Sequence, residues 1–206
     1  MEGWGPKWII MQFNQQHMNT LLIGTQSETR RKLFQYAGLD FEYIAPNIDE
    51  KKILQGKKIT QSKQALFLAK AKSLHLCELH KNRKIICFDT TVHIGDKTIF
   101  KASTKKECMN VLLGLNGKTH TLYTSCIMMK NKKTIWTTTE KALITFKKNS
   151  KIELEKYIDA HFNRIVNSVG CYNIESEGKR VIDKIEGSYY AILGIPLIPL
   201  YRALKN

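Results

Sequence analysis

Residues 21–38, Leu21-Leu22-Ile23-Gly24-Thr25-Gln26-Ser27-Glu28-Thr29-Arg30-Arg31-Lys32-Leu33-Phe34-Gln35-Tyr36-Ala37-Gly38, read as a strand, a loop and a helix. Leu21 to Gly24 is a short apolar run and Thr25 to Ser27 is polar. Leu33, Phe34 and Ala37 then recur at helical spacing over Arg30 to Ala37, and Gly38 ends the pattern. Working outward, Phe41 to Ala45 reads as a second strand stopped by Pro46, and Ile48 to Thr60 as an exposed, Lys-rich loop. Ser62 to Leu79 puts Ala65, Leu66, Ala69, Ser73 and Leu76 on one helical face. Lys84 to Phe88 reads as a short strand ending at Asp89, and Val92 to Phe100 as a hairpin turning at Gly95-Asp96. Thr104 to Leu113 is a short helix ending at Gly114. Thr119 to Met129 and Lys133 to Phe146 are two long strands joined by a polar turn. Ser150 opens another helix with Glu153 completing a capping box. Val181 to Ile185 is a last strand, followed by an apolar stretch from Tyr190 to Leu204. Helices alternating with strands, some of them in hairpins, predict an α/β class with a mixed sheet.

Residues 1–17 have no clear period and read as an N-terminal extension; 18–206 is expected to form a single domain. A chain of 206 residues buries well over half of its unfolded surface and needs no disulfide framework. At 43% apolar and 25% charged residues it is no disordered tail, collagen-like fibre or coiled-coil rod. The abnormal quantity is a formal charge of +15, from 33 Lys and Arg against 18 Asp and Glu. Such a surplus attracts anions, phosphates foremost. Only six of the cations are Arg, so the forked donor that reads bases is scarce. The block Lys130, Lys132, Lys133 has no interleaved aromatics. A nucleic-acid surface and a merely solvated Lys-rich surface both remain open from composition. The five cysteines are odd in number and lack C-x-x-C spacing, which points to buried thiols in a reducing compartment. No apolar run approaches 18 residues and no signal peptide is seen, so a cytoplasmic protein is expected.

Phosphate-binding Walker loops, dinucleotide fingerprints, zinc-protease helices and nucleophile elbows are all absent. His75 and His80 are spaced wrongly for one metal face, and His120 on a strand reads as a histidine with a core or a cross-strand partner. Thr25, Ser27 and Arg30 fall in the loop and first turn of a helix, where unpaired backbone N–H groups favour a phosphate. A capping Ser and a solvated Arg account for them equally well. Asp89 at a strand's carboxyl end stands where open α/β sheets present ligands, or in an Asx turn. Glu50 is a hard-oxygen donor suited to Mg2+, or part of a polar loop. Lys70 and Lys101, each next to apolar neighbours, could surround a triphosphate together with Arg30, or snorkel to solvent.

Taken together, these residues resemble the Maf family of nucleoside triphosphate pyrophosphatases over about Leu21 to Leu204. The family's opening motif L-A-S-x-S-P-R-R is similar to Ile23-Gly24-Thr25-Gln26-Ser27-Glu28-Thr29-Arg30, with Glu28 and Thr29 replacing its Pro and first Arg. Its P-x-I-D-E stands intact as Pro46-Asn47-Ile48-Asp49-Glu50, its A-K-A as Ala69-Lys70-Ala71, and its D-T as Asp89-Thr90. Its G-K-P is altered to Phe100-Lys101-Ala102. Similar segments follow at Gly117–His120, Gly170–Glu175, Ile185–Tyr190 and Gly194–Leu197.

The resemblance implies a mixed, strongly curved sheet with helices packed around it, two lobes enclosing a cleft, as in Maf and inosine triphosphatase-like folds. It implies hydrolysis of the α–β phosphoanhydride of (d)NTPs, modified or non-standard nucleotides among them, to a nucleoside monophosphate and diphosphate with Mg2+ or Mn2+. Asp89 would be the proton acceptor and, with Glu50, a metal ligand. Thr25, Ser27, Arg30, Lys70 and Lys101 would bind phosphate. The positions that select the base hold Arg, Thr and Gln in a dTTP/UTP subfamily and Trp, Gln and Glu in a 7-methyl-GTP subfamily. Here they are Thr29, Thr90 and Glu175, a mixture that leaves the base open. Many members of the family are dimers, so the resemblance makes a homodimer an expected partner; the lack of a spanning apolar run and the few cations with a chemical task argue against membrane and nucleic-acid partners. The alternative is a catalytically weakened nucleotide- or nucleic-acid-binding protein on the same scaffold, motivated by Glu28, Thr29 and Ala102.

Overall fold

A computed structural model describes residues 21–39, 41–166, 168–175 and 177–205 of the chain. The expected extension at residues 1–17 lies outside them. The described chain runs β1 (Leu21–Gly24), α1 (Glu28–Tyr36), β2 (Glu42–Ile44), α2 (Glu50–Leu54), α3 (Gln61–Leu79), β3 (Lys84–Ile94), β4 (Lys97–Ile99), α4 (Lys105–Leu115), β5 (Thr119–Lys130), β6 (Lys133–Phe146), α5 (Lys151–Ile165), β7 (Ile182–Gly187), α6 (Tyr189–Ile192) and α7 (Leu197–Lys205). The strands form one seven-stranded sheet in the order β2-β1-β3-β5-β6-β7, with β4 paired to β3. β2, β1 and β3 are parallel and the remaining pairs antiparallel, so the sheet is mixed as expected.

Local chemistry accounts for the element ends. Asn131 and Lys132 take φ values of 48° and 63°, the left-handed pair that a two-residue hairpin between β5 and β6 requires. Thr104 with Glu107 and Ser150 with Glu153 both form reciprocal capping boxes at the starts of α4 and α5. In the stretch expected to be an exposed loop, Asp49 caps the short helix α2 by accepting from the Lys52 N–H at 3.0 Å. The apolar C-terminal stretch becomes two helices, α6 and α7.

Three apolar clusters build two lobes. On one face of the first half of the sheet, Ile23, Ile86, Phe88 and Met128 pack against Phe34 of α1 and Leu197 and Leu200 of α7. On the opposite face, Leu22, Ile85, Cys87 and Ile127 pack against Ala69, Leu76 and Cys77 of α3. Burial on both faces explains why Ile85 to Phe88 is continuously apolar rather than alternating. α3 comes so close that a side chain at Gly24 would run into Cys87 Sγ and, at 2.6 Å, Leu76 Cδ1. The second lobe joins Val92, Leu122, Ile144 and Phe146 to Leu112 of α4 and to Leu154 and Ile158 of α5. Phe88 belongs to the first lobe and Val92 to the second, so the chain passes between cores within residues 88–92.

All five cysteines are buried and unbridged, as expected. No helix among the described residues is long and apolar enough to cross a membrane.

Candidate active site

The sequence predicts a strand that stops before Asp89, whereas β3 continues through it to Ile94. What stops is the neighbour. β1 ends at the Gly24–Cys87 pair, and β4 joins the same edge only from Ile99–Val92 onward. Phe88 to Thr91 therefore face a gap in the sheet on that edge, while β5 holds them from the other through Asp89–Ser125 and Thr90–Thr124. The gap lies outside the carboxyl end of β1, where an open α/β sheet exposes its ligand-binding crevice. Side chains alternate along a strand, so Asp89 and Thr90 serve opposite faces of the gap.

On the α3 face, Lys72 Nζ lies between two carboxylates. It pairs with Glu50 Oε1 at 2.6 Å and with Asp89 Oδ1 in a short contact, and approaches the Phe88 carbonyl at 3.5 Å. Lys72 is 6% exposed and Asp89 3%, so this ion pair is removed from water, while Glu50 stands half-buried on its solvent side. Such clusters cost desolvation energy and are weak stabilisers, which makes them candidates for function. Burial pushes the Asp89 carboxyl above the ordinary aspartate range; Lys72 opposes that shift and Glu50 reinforces it. Burial acts on Glu50 in the same direction, but Lys72, Lys101 and Arg30 outweigh it and hold Glu50 below the usual carboxylate range. Burial works against the Lys72 ammonium, but Asp89 and Glu50 outweigh it and hold its pKa above the usual lysine range. The site thus sets a carboxylate and an ammonium beside a second carboxyl poised to take a proton.

On the other face, Arg30 Nε donates to the Gly194 carbonyl at 2.7 Å, Nη2 donates to Thr90 Oγ1 at 3.2 Å, and the guanidinium stacks 5.5 Å from the Phe88 ring centroid. Burial pulls the Arg30 pKa down against the opposing charges of Asp89 and Glu50, but a guanidinium stays protonated.

The expected site residues divide clearly. Asp89, Glu50 and Arg30 converge on the gap. Lys101 is exposed, and its charge reaches Glu50 without a direct ion pair among the described residues. Lys70 does not join them: it is exposed on α3, and two residues further round the helix Lys72 occupies the place expected for it. The signal for Lys72 was present in the pattern, because Ala65, Leu68, Ala69, Ser73, Leu76 and Cys77 form the buried face and Lys72 is the charged residue set into it. Thr25 and Ser27 shape the loop. Thr25 Oγ1 accepts from the Ser27 N–H at 3.1 Å, and Ser27 caps α1 by accepting from the Arg30 N–H at 3.4 Å. Gln26 ties this loop to the Glu50 loop through Asn47 at 2.7 Å. Glu28 is paired with Lys32 at 2.8 Å on the solvent side of α1. Thr29 donates to Glu175 at 2.9 Å, so two of the expected base-selecting residues meet at the surface, while Thr90 turns inward to Arg30.

For a divalent cation, no three His, Cys, Asp or Glu side chains gather among the described residues. The two carboxylates still fit one that keeps most of its sites for water and phosphate oxygens, as Mg2+ does. Asp89 Oδ2 is buried with no hydrogen-bond partner among the described residues, the open donor such an ion needs.

Known proteins bear on this geometry. The sequence model of the family described as Maf-like protein matches residues 20–206. A nucleoside triphosphate pyrophosphatase of Caulobacter vibrioides is 32% identical over 91% of this chain and 96% of its own. One of Rhodopseudomonas palustris is 31% identical over 90% and 93%. A 7-methyl-GTP pyrophosphatase of Bartonella quintana is 30% identical over 91% and 96%.

Proposed function

Since the chain belongs to the Maf-like family, we propose that it is a hydrolase of acid anhydrides, a nucleoside triphosphate pyrophosphatase that splits the α–β anhydride of (d)NTPs, modified nucleotides among them. The observation that carries this reading is the Glu50–Lys72–Asp89 cluster in the gap of the sheet, with Arg30 on the opposite face. Water adds to the α-phosphorus, the P–O bond from that phosphorus to the α–β bridging oxygen breaks, and diphosphate leaves with the bonding electrons. Asp89, its carboxyl held high by burial, takes the proton of the attacking water. Arg30, Lys72 and Lys101 offset the charge that spreads over the phosphate oxygens, and the first turn of α1 presents backbone N–H groups to them. Glu50 and Asp89 would hold Mg2+ or Mn2+, which when bound neutralises phosphate charge. Thr29 and Glu175 stand at the rim, where a base would lie.

The substitutions behind the alternative of a weakened binding protein leave the cluster whole. Glu28 is engaged with Lys32, and Ala102 is buried in the second-lobe core. The deciding experiment is diphosphate release from a panel of canonical, methylated and non-standard nucleoside triphosphates with Mg2+ or Mn2+. Release from at least one nucleotide supports the enzyme. No release, together with binding to RNA or DNA that weakens steeply with salt, replaces it with the binding protein.

A further inference from the structure

Ala191 in α6 and Gly194 just after it have no part in the chemistry above, yet they belong to a closed ring of hydrogen bonds around Arg30. Arg30 Nε donates to the Gly194 carbonyl at 2.7 Å and Nη2 to Thr90 Oγ1 at 3.2 Å. The Gly194 N–H donates to the Ala191 carbonyl at 2.9 Å, and the Thr124 hydroxyl donates to the same oxygen at 2.7 Å. The Thr90 and Thr124 hydroxyls, 3.0 Å apart, close the ring.

Proton counting fixes its direction. A hydroxyl has one hydrogen to give. Thr124 gives its hydrogen to Ala191, so Thr90 must give its own to Thr124, and the Thr90 oxygen is left as an acceptor for Arg30. Thr124 is 1% exposed, on β5, and has no direct bond to the guanidinium, yet it decides which way Thr90 points. Gly194 has φ +95°, and a Cβ there would lie 2.8 Å from Arg30 Nε, so only glycine brings this carbonyl so close.

We propose that Thr124 and Gly194 are positioning residues for Arg30, which they act on through the ring. The ring consumes Nε and one Nη2 hydrogen and holds the guanidinium plane, leaving the Nη1 side of the fork to grip phosphate oxygens in pairs. Thr90 is a member of the same device, so discrimination among bases falls to Thr29 and Glu175. The proposal rests on Arg30 binding phosphate, as in the function proposed above.

Two readouts on the full chain separate the ring from that function. In 15N spectra the Arg30 Nε–H, one of only six arginine signals and assigned by its loss in Arg30→Lys, exchanges slowly in the wild type. Thr124→Val speeds its exchange about tenfold and Thr124→Ser restores it, the size expected for losing one buried hydrogen bond. In turnover of the best nucleotide, Thr124→Val lowers kcat/KM about tenfold through loss of orientation and Thr124→Ser recovers it, with the melting temperature of the serine variant close to that of the valine variant. Gly194→Ala follows Thr124→Val in both readouts where it folds. A wild-type Nε–H that exchanges as fast as that of exposed Arg164, or a Thr124→Val protein with wild-type exchange and wild-type kcat/KM, overturns the ring. A wild type that hydrolyses no nucleotide while its Nε–H is protected, and protection is lost in Thr124→Val, overturns the function and leaves the ring standing.

Discussion

Two buried polar groups in this sheet meet opposite fates. Around Asp89 in the middle of β3, Lys72 of α3 and Glu50 of α2 complete a charged cluster in which Lys72 and Asp89 are buried and Glu50 is half-buried. On β5 in the second lobe, His120 Nε2 lies 2.8 Å from the Tyr172 hydroxyl, with both rings edge-on to Phe146. Burial pushes the His120 imidazole down to about 4 and the Tyr172 phenol well up, so that pair is neutral. The difference is a counter-charge. Burial alone favours the neutral form of a titratable group; opposite charges beside them hold Glu50 and Lys72 charged, at an energetic cost, while Asp89 is still drawn towards its neutral form. A core needs no such arrangement, whereas a site that handles phosphate and moves a proton does.

The largest effect expected falls on the charged cluster. Asp89→Asn keeps shape and removes the proton acceptor, so turnover in the diphosphate-release assay should drop by about 10²–10⁴-fold, the range typical of general-base removal. Turnover at the wild-type level would reduce the cluster to a structural ion pair like any other. Next comes the cation. Lys72→Met should destabilise the fold by about 3–5 kcal/mol in urea unfolding at neutral pH, because it strands a buried carboxyl. Lys70→Met, two residues away in solvent, should change stability by no more than about 0.5 kcal/mol. Equal effects from the two lysines would erase the distinction between the site and the surface.

That lysine pair also marks where the sequence was legible. Because alternation and the 3.6-residue repeat report which face is buried, strand and helix periods located most elements, though not α2 or the two C-terminal helices. The capping boxes at Thr104 and Ser150 were readable for the same local reason. Asp89, Glu50 and Arg30 stood out as polar residues at element ends. Lys72 did not, since a lysine in a helix reads as solvated until one asks which face it interrupts. The true length of β3 was hidden because Asp89 and Thr90 look like a strand end, and it is the partner strand β1 that stops there. The roles of Thr124 and Gly194 were beyond reach, since they depend on contacts between residues 67 and 164 positions apart in the chain. His120 was readable as a histidine with a core or a cross-strand partner, but the identity of that partner, 52 positions away, was not.

The smallest effect tests the neutral half of the comparison and depends on its sign. An unfolded histidine binds a proton near pH 6.5, whereas folded His120 resists until about pH 4. Stability from the neutral imidazole is therefore complete above pH 6.5, drains away as the pH falls, and stops falling once the folded form is also protonated near pH 4. Across that window the loss from this one side chain is about 3 kcal/mol, read as the slope of unfolding free energy against pH. His120→Gln keeps a polar reach towards Tyr172 but cannot titrate, so its slope should be shallower by that amount while carboxylates elsewhere contribute equally to both proteins. The opposite result, a wild type that holds its stability to pH 4 as well as the glutamine variant, would mean that His120 carries charge when buried. A counter-charge would then be unnecessary in this sheet, and the ion cluster on β3 would lose its claim to be an arrangement built for chemistry.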